Sequence, residues 1–189
     1  MKIAILGWGS LIWDERPEFD EQHDEWLPDG PSLKLEFSRI SKTRAGALTL
    51  VIDEQHGESC HVSYALSKRR NIDDVVCDLR CREGTVLKHI GYYLLDDSRL
   101  GEPAIPDGMT DWAKEKKLDG VVWTGLPSNF RKEVGKVFSV PNALAYVKAL
   151  PPEGKAKAAE YVWRAPVSVC TPLRRAVEVE PWFACRQDE

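Results

Sequence analysis

Apolar positions fall into short runs in the first half of the chain and into helical spacing in the second, and the two patterns predict different elements. Residues 2–6 form a buried-strand run that ends in the small-residue turn Gly7-Trp8-Gly9-Ser10. The acidic stretch 14–31, with its Pro and Gly, predicts a loop or a short irregular helix. Strands are predicted over 33–40, 47–52 and 60–66, with a turn at 53–58, giving a hairpin-linked antiparallel set. Residues 71–84 predict the clearest helix, with Asn71 as its cap, Asp73 and Asp74 at its positive end and Gly84 at its exit. A strand follows over 86–95, then a turn-rich surface excursion over 96–110 and a short strand at 120–124. Two helices are predicted at 142–150 and 153–163, divided by Pro151-Pro152, and Thr171-Pro172 opens a third that runs to about Val177. Strands first and helices last, without alternation, predict an α+β fold rather than a doubly wound sheet. No linker is visible, so residues 1–189 are expected to form a single domain.

On a wheel of about 100° per residue, Ile72, Val75, Val76 and Leu79 share one apolar arc, and Glu83 lands inside it. A carboxylate on a core-facing stripe is costly unless it is paired or used. Burial and the negative helix end would both raise its pKa, toward the range a general acid/base needs, while a nearby arginine would oppose them. The alternative reading is a helix-end glutamate facing solvent, or one ion-paired with Arg39 or Arg44. Arg80 and Arg82 flank the arc, and Cys77 and Cys81 lie on the opposite side.

The loop of Gly7, Trp8, Gly9, Ser10 and Leu11 offers backbone N–H groups with few side chains in the way. Its glycines permit the positive φ of an anion-binding nest, and Ser10 adds a hydroxyl. A carboxylate, a phosphate or a developing oxyanion would fit such a loop; packing glycines in a tight turn are the alternative. It lacks the third glycine of a dinucleotide fingerprint and the GK[ST] of a P-loop. Arg39 and Arg44 are further candidates for a substrate carboxylate, or exposed arginines on a strand edge.

Charge narrows the classes. With 26 Lys+Arg against 30 Asp+Glu the formal net charge is −4, which argues against a broad grip on nucleic acid or an anionic membrane. No apolar run reaches the ~20 residues of a membrane-spanning helix, and the N-terminus has no signal-peptide core, so a soluble, cytoplasmic protein is expected. Five cysteines (Cys60, Cys77, Cys81, Cys170, Cys185) are an odd number at irregular spacing, which fits reduced thiols. Cys60, His61, Cys77 and Cys81 lack the spacing of a zinc knuckle, so no metal is expected. The seven tryptophans read as core and pocket walls, with Trp8 and Trp123 placed near a pocket.

The stretch ILGWGSLIWD resembles the strand-to-loop signature of the gamma-glutamylcyclotransferase-like family, especially its ChaC-type branch, with Trp8 in place of the signature tyrosine. LRCREGT, ending the predicted helix, resembles that family's helix ending in Glu-Gly. The likeness covers roughly residues 2–95 by order and spacing; VVWTGLPSNF at 121–130 matches no signature of the glutathione-acting members. The resemblance implies a small mixed or antiparallel, barrel-like sheet with flanking helices. It implies release of 5-oxoproline from a gamma-glutamyl compound, with Glu83 catalytic and Gly7, Trp8, Gly9, Ser10 and Leu11 holding the substrate. The substrate's own α-amine attacks its γ-carbonyl, so neither a cofactor nor a protein nucleophile is implied. The other expectation is a non-catalytic small-molecule binding or interaction module on the same fold.

Overall fold

The computed structural model describes residues 1–95 and 101–184. Cys185 and residues 96–100 of the expected surface excursion lie outside them. In chain order the strands are β1 (Ile3–Gly7), β2 (Ser32–Ile40), β3 (Leu48–Ile52), β4 (Glu58–His61), β5 (Ser63–Leu66), β6 (Ile90–Leu94) and β7 (Gly120–Thr124). The helices are α1 (Ser10–Trp13), α2 (Pro17–Asp20), α3 (Ile72–Glu83), α4 (Met109–Glu115), α5 (Phe130–Val134), α6 (Val140–Ala149), α7 (Pro152–Arg164), α8 (Pro172–Glu178) and α9 (Pro181–Ala184). The chain divides into two compact units, Met1–Leu33 with His61–Leu126, and Lys34–Cys60 with Pro127–Glu189.

The first unit is built on a four-stranded mixed sheet in the order β5-β1-β7-β6. β1 pairs antiparallel with β5 and parallel with β7, and β6 closes antiparallel on β7. The expected mixed or antiparallel sheet admits this parallel pair. β1 is buried along its whole length, as its continuous apolar run requires of a central strand. Helix α3 covers the sheet, with Ile72, Val75, Val76 and Leu79 packed in one cluster with Ile3, Ile5, Ile90 and Val122. Each of those helix side chains contributes about 2 kcal/mol by leaving water. The expected caps form: Asn71 accepts from the Asp73 N–H at 3.1 Å, and Gly84 ends the helix with φ 58°.

The third expected strand, 60–66, is two strands. Between them Val62 donates its N–H to the Pro31 carbonyl at 3.1 Å and accepts from the Gly30 N–H at 3.0 Å. A side chain at Gly30 would sit 2.5 Å from the Val62 carbonyl oxygen, so this close approach requires glycine. β5 then pairs with β1 while β4 joins the other sheet, of order β3-β2-β4. The fold is therefore α+β as expected, but its strands make two sheets rather than the barrel-like one the resemblance implies.

In the second unit β2 and β3 pair antiparallel with a register shift between Glu36 and Arg39. Leu35 to Ser38 make a run of four buried residues, and Glu36, still in register with Val51, is fully inside. Its Oε1 accepts from the Phe37 N–H at 2.8 Å and its Oε2 from the Leu173 N–H at 3.2 Å, which fastens the start of α8 to β2. Phe37 meets the Tyr161 ring edge-on, and Phe130 packs against Phe138 and Tyr146. The expected third helix starts as predicted, with the Thr171 hydroxyl accepting from the Arg174 N–H at 3.2 Å. No helix among the described residues is long and apolar enough to cross a membrane.

Candidate functional site

The loop candidates Gly7 to Leu11 and Glu83 lie in the first unit, the loop at the end of β1. Gly7 still belongs to the strand, opposite Ser63, and the Trp26 ring lies over it: a Cβ on Gly7 would be 2.6 Å from that ring. Gly9 precedes α1 with φ −146° and no side chain caps that helix. Neither Gly7 nor Gly9 adopts a positive φ, so the nest expected from their freedom does not form. The role of Gly7 is steric instead, and the loop opens into one turn of helix that the sequence had not signalled. Trp8 and Leu11 are each 6% exposed and pack inward, while Ser10 is half-buried.

Arg82 fixes this loop. Its side chain is buried, and Nη2 donates to the carbonyls of Ser10 at 3.0 Å and Asp14 at 2.7 Å. The same nitrogen stands 3.7 Å from Asp14 Oδ2. The Ser10 carbonyl, at the start of α1, also accepts from the Asp14 N–H at 2.9 Å, while the Asp14 carbonyl lies just past the helix end. Arg82 Nε is buried with no hydrogen bond. Glu83 follows directly as the last residue of α3. The four apolar residues of its arc are buried as expected, but Glu83 itself is half-buried at the helix exit rather than centred in the core. Arg82, which the wheel placed only beside the arc, is the side chain that goes inside. Its signal was weak because a terminal arginine is ordinarily solvated.

A cleft of about 270 Å³ opens next to the loop, with Leu11 and Ile12 on its apolar side and the carboxylates of Glu15, Asp20, Asp24 and Glu25 around it. His23 and Trp26 complete the walls. His23 is buried between the Phe19 and Trp26 rings, 5.0 Å from each. Its Nδ1 lies 2.6 Å from the Asp24 carbonyl, so Nδ1 carries the proton, and Nε2 stands 3.7 Å from Asp20 Oδ1 without a hydrogen bond. Four carboxylates make this cleft hostile to an anion, and Glu83 is not among its walls. His23 and Trp26 sit in the stretch read from sequence as a loop, where no periodicity marked them.

The remaining candidates are elsewhere. Arg39 and Arg44 belong to the second unit; Arg39 Nη1 donates to the Pro127 carbonyl at 2.6 Å, and the Arg44 guanidinium lies 5.4 Å from the centre of the Tyr161 ring. Trp123, expected at a pocket, is fully buried in β7 and packs on Gly91, where a Cβ would be 2.1 Å from its ring. Cys60, Cys77, Cys81 and Cys170 are free thiols, and only Cys60 of the four is buried. Among the described residues no group of three or more His, Cys, Asp or Glu side chains is arranged to hold a metal. No protein-family model, no curated protein and no solved structure matches this chain.

Proposed function

We propose that the protein is a gamma-glutamyl cyclotransferase acting at the junction of the 7–11 loop and the end of α3. The observation that carries the reading is the Arg82 bridge: its hydrogen bonds to the Ser10 and Asp14 carbonyls tie the end of α3, one residue before Glu83, to the loop. In the reaction the substrate's α-amine attacks its own γ-carbonyl, closing 5-oxoproline and expelling the amine bound to that carbonyl. Glu83 takes a proton from the attacking ammonium and returns one to the leaving amine. Because nucleophile and electrophile share one molecule, the protein's task is to fold the chain into a near-attack geometry and move that proton. With no preformed nest at Gly7 or Gly9, the oxyanion would rely on the first amides of α1, whose start has no capping side chain.

The missing nest is also what favours the second reading, a binding or interaction module without catalysis. One assay separates them: 5-oxoproline release from a panel of gamma-glutamyl amino acids, amines and peptides, wild type beside Glu83→Gln. The cyclotransferase reading expects release by the wild type, reduced about 10²- to 10⁴-fold in the variant, with an unchanged circular dichroism spectrum. Release at the parent rate by Glu83→Gln removes Glu83 from the chemistry. A folded wild type that releases nothing from any member leaves the binding module.

A further inference from the structure

We propose that Cys77 and Cys81 form a binding site for a two-coordinate soft cation of the Cu(I) class on the exposed face of α3. The two residues stand four apart on one helix, which puts them on the same face with Cβ atoms about 5–6 Å apart. Both are exposed and both are free thiols. A single guanidinium nitrogen, Arg80 Nη2, reaches both sulfurs, at 3.4 Å from Cys81 and 3.9 Å from Cys77.

The number of donors selects the ion. Zinc in a structural site wants four ligands, and no third or fourth His, Cys, Asp or Glu completes such a group among the described residues. Hard cations want oxygen and more of it. A soft d¹⁰ cation is satisfied by two thiolates in a near-linear arrangement, which spans roughly 4.6 Å from sulfur to sulfur at metal–thiolate bonds of about 2.3 Å. Both sulfurs lie within 3.9 Å of one nitrogen, so they stand no more than about 7.3 Å apart. Binding exchanges two S–H protons for one metal ion, M⁺ + 2 RSH giving [M(SR)₂]⁻ + 2 H⁺, with no change of oxidation state. The product is an anion, and Arg80 already stands where its charge must be offset. Asp78, the carboxylate between the two cysteines in sequence, is held by Arg69 Nε at 3.0 Å.

The test is anaerobic competition for Cu(I) against a chromophoric Cu(I) chelator, in a thiol-free reducing buffer. The wild type is expected to take one Cu(I) per chain at this pair. Cys77→Ser and Cys81→Ser, both exposed and therefore tolerated by the fold, should each lower the affinity at least 100-fold. A Cys170→Ser/Cys185→Ser double variant should keep it, and Arg80→Gln should weaken binding several-fold. Tightening with rising pH should follow the loss of two protons. Three outcomes overturn the proposal: affinity unchanged in either Cys77→Ser or Cys81→Ser, affinity lost in the double variant, or Zn(II) held at the pair as tightly as Cu(I). This site stands whether or not Glu83 is catalytic.

Discussion

The two units handle their buried ionisable groups in opposite ways, although each also holds neutral polar atoms without a hydrogen bond, Ser38 Oγ and Trp163 Nε1 in the second among them. In the second, the charged groups taken inside are consumed by the backbone: Glu36 accepts from Phe37 and Leu173, and Arg174 donates to the carbonyls of Ala165, Pro166 and Val169 as well as to Glu178. In the first, Arg82 keeps a buried Nε without a partner and His23 keeps a buried Nε2 without a hydrogen bond. A buried polar group fully satisfied by the chain is a structural fastener; one left incomplete is free energy held in reserve for a ligand or a proton. That contrast is why function is sought in the first unit, and each substitution below is chosen to break or sharpen it.

Glu36 should give the largest stability effect. Glu36→Leu keeps the volume but strips two buried N–H groups of their acceptor, at a cost of about 3 kcal/mol. The pH dependence carries a sign. Burial pushes the Glu36 carboxyl above its ordinary value, against the hydrogen bonds from Thr171 and the two amides that lower it, with the charge of Asp53 adding to the rise. The folded state therefore binds the proton more tightly than the unfolded one. This contribution is fully present below the ordinary glutamate value and is lost as the pH rises through the raised one. Urea midpoints at a series of pH values should show stability falling across that window in the wild type, and Glu36→Leu should lack the slope. A slope of the opposite sign, or a variant as stable as the parent, would end the description of Glu36 as a fastener.

Glu36 also marks where the sequence stopped being legible. The strand around it was readable from its apolar positions, and so were β1, β7, α3 and the caps at Asn71 and Thr171, because period and capping chemistry are local. The burial of Glu36 depends on its pairing with β3 and on the start of α8 that meets its carboxylate, far along the chain, which no local pattern encodes. The split of 60–66 escaped for the same reason: it arises from backbone bonds between Val62 and residues 30–31, far away in the chain. At the candidate site the loop and Glu83 were readable as motifs. Arg82, His23 and Trp26 were not, because their places follow from what packs on them, and short helices such as α1 and α2 leave too few residues to show a period.

Arg82→Met comes next. It preserves the apolar stem and deletes the hydrogen bonds to Ser10 and Asp14, while also removing the unpartnered Nε. The expected loss is about 2 kcal/mol, below the sum for two charge-assisted bonds because that orphan disappears. Hydrogen exchange at residues 10–14 should accelerate before exchange in β1 does. If the variant were as stable as the parent and the loop equally protected, Arg82 would not be what holds the helix end to the loop, and the placement of Glu83 would lose its support.

The smallest effect is expected at the start of the same helix. Asn71 and Thr171 make the same bond, a side-chain oxygen accepting from the amide at the beginning of a helix, at 3.1 and 3.2 Å. Asn71 is exposed and Thr171 is fully buried. When Asn71→Ala removes its acceptor, water reaches the Asp73 N–H, so the cost stays near 1 kcal/mol. No water reaches the Arg174 N–H in that way, and Thr171 additionally bonds Glu36, so the matching Thr171→Ala should cost more. Thermal midpoints of the two variants measure the difference. Equal losses would mean that burial does not distinguish the caps, and the contrast between the buried ionisable groups of the two units would then rest on Glu36 and Arg174 alone.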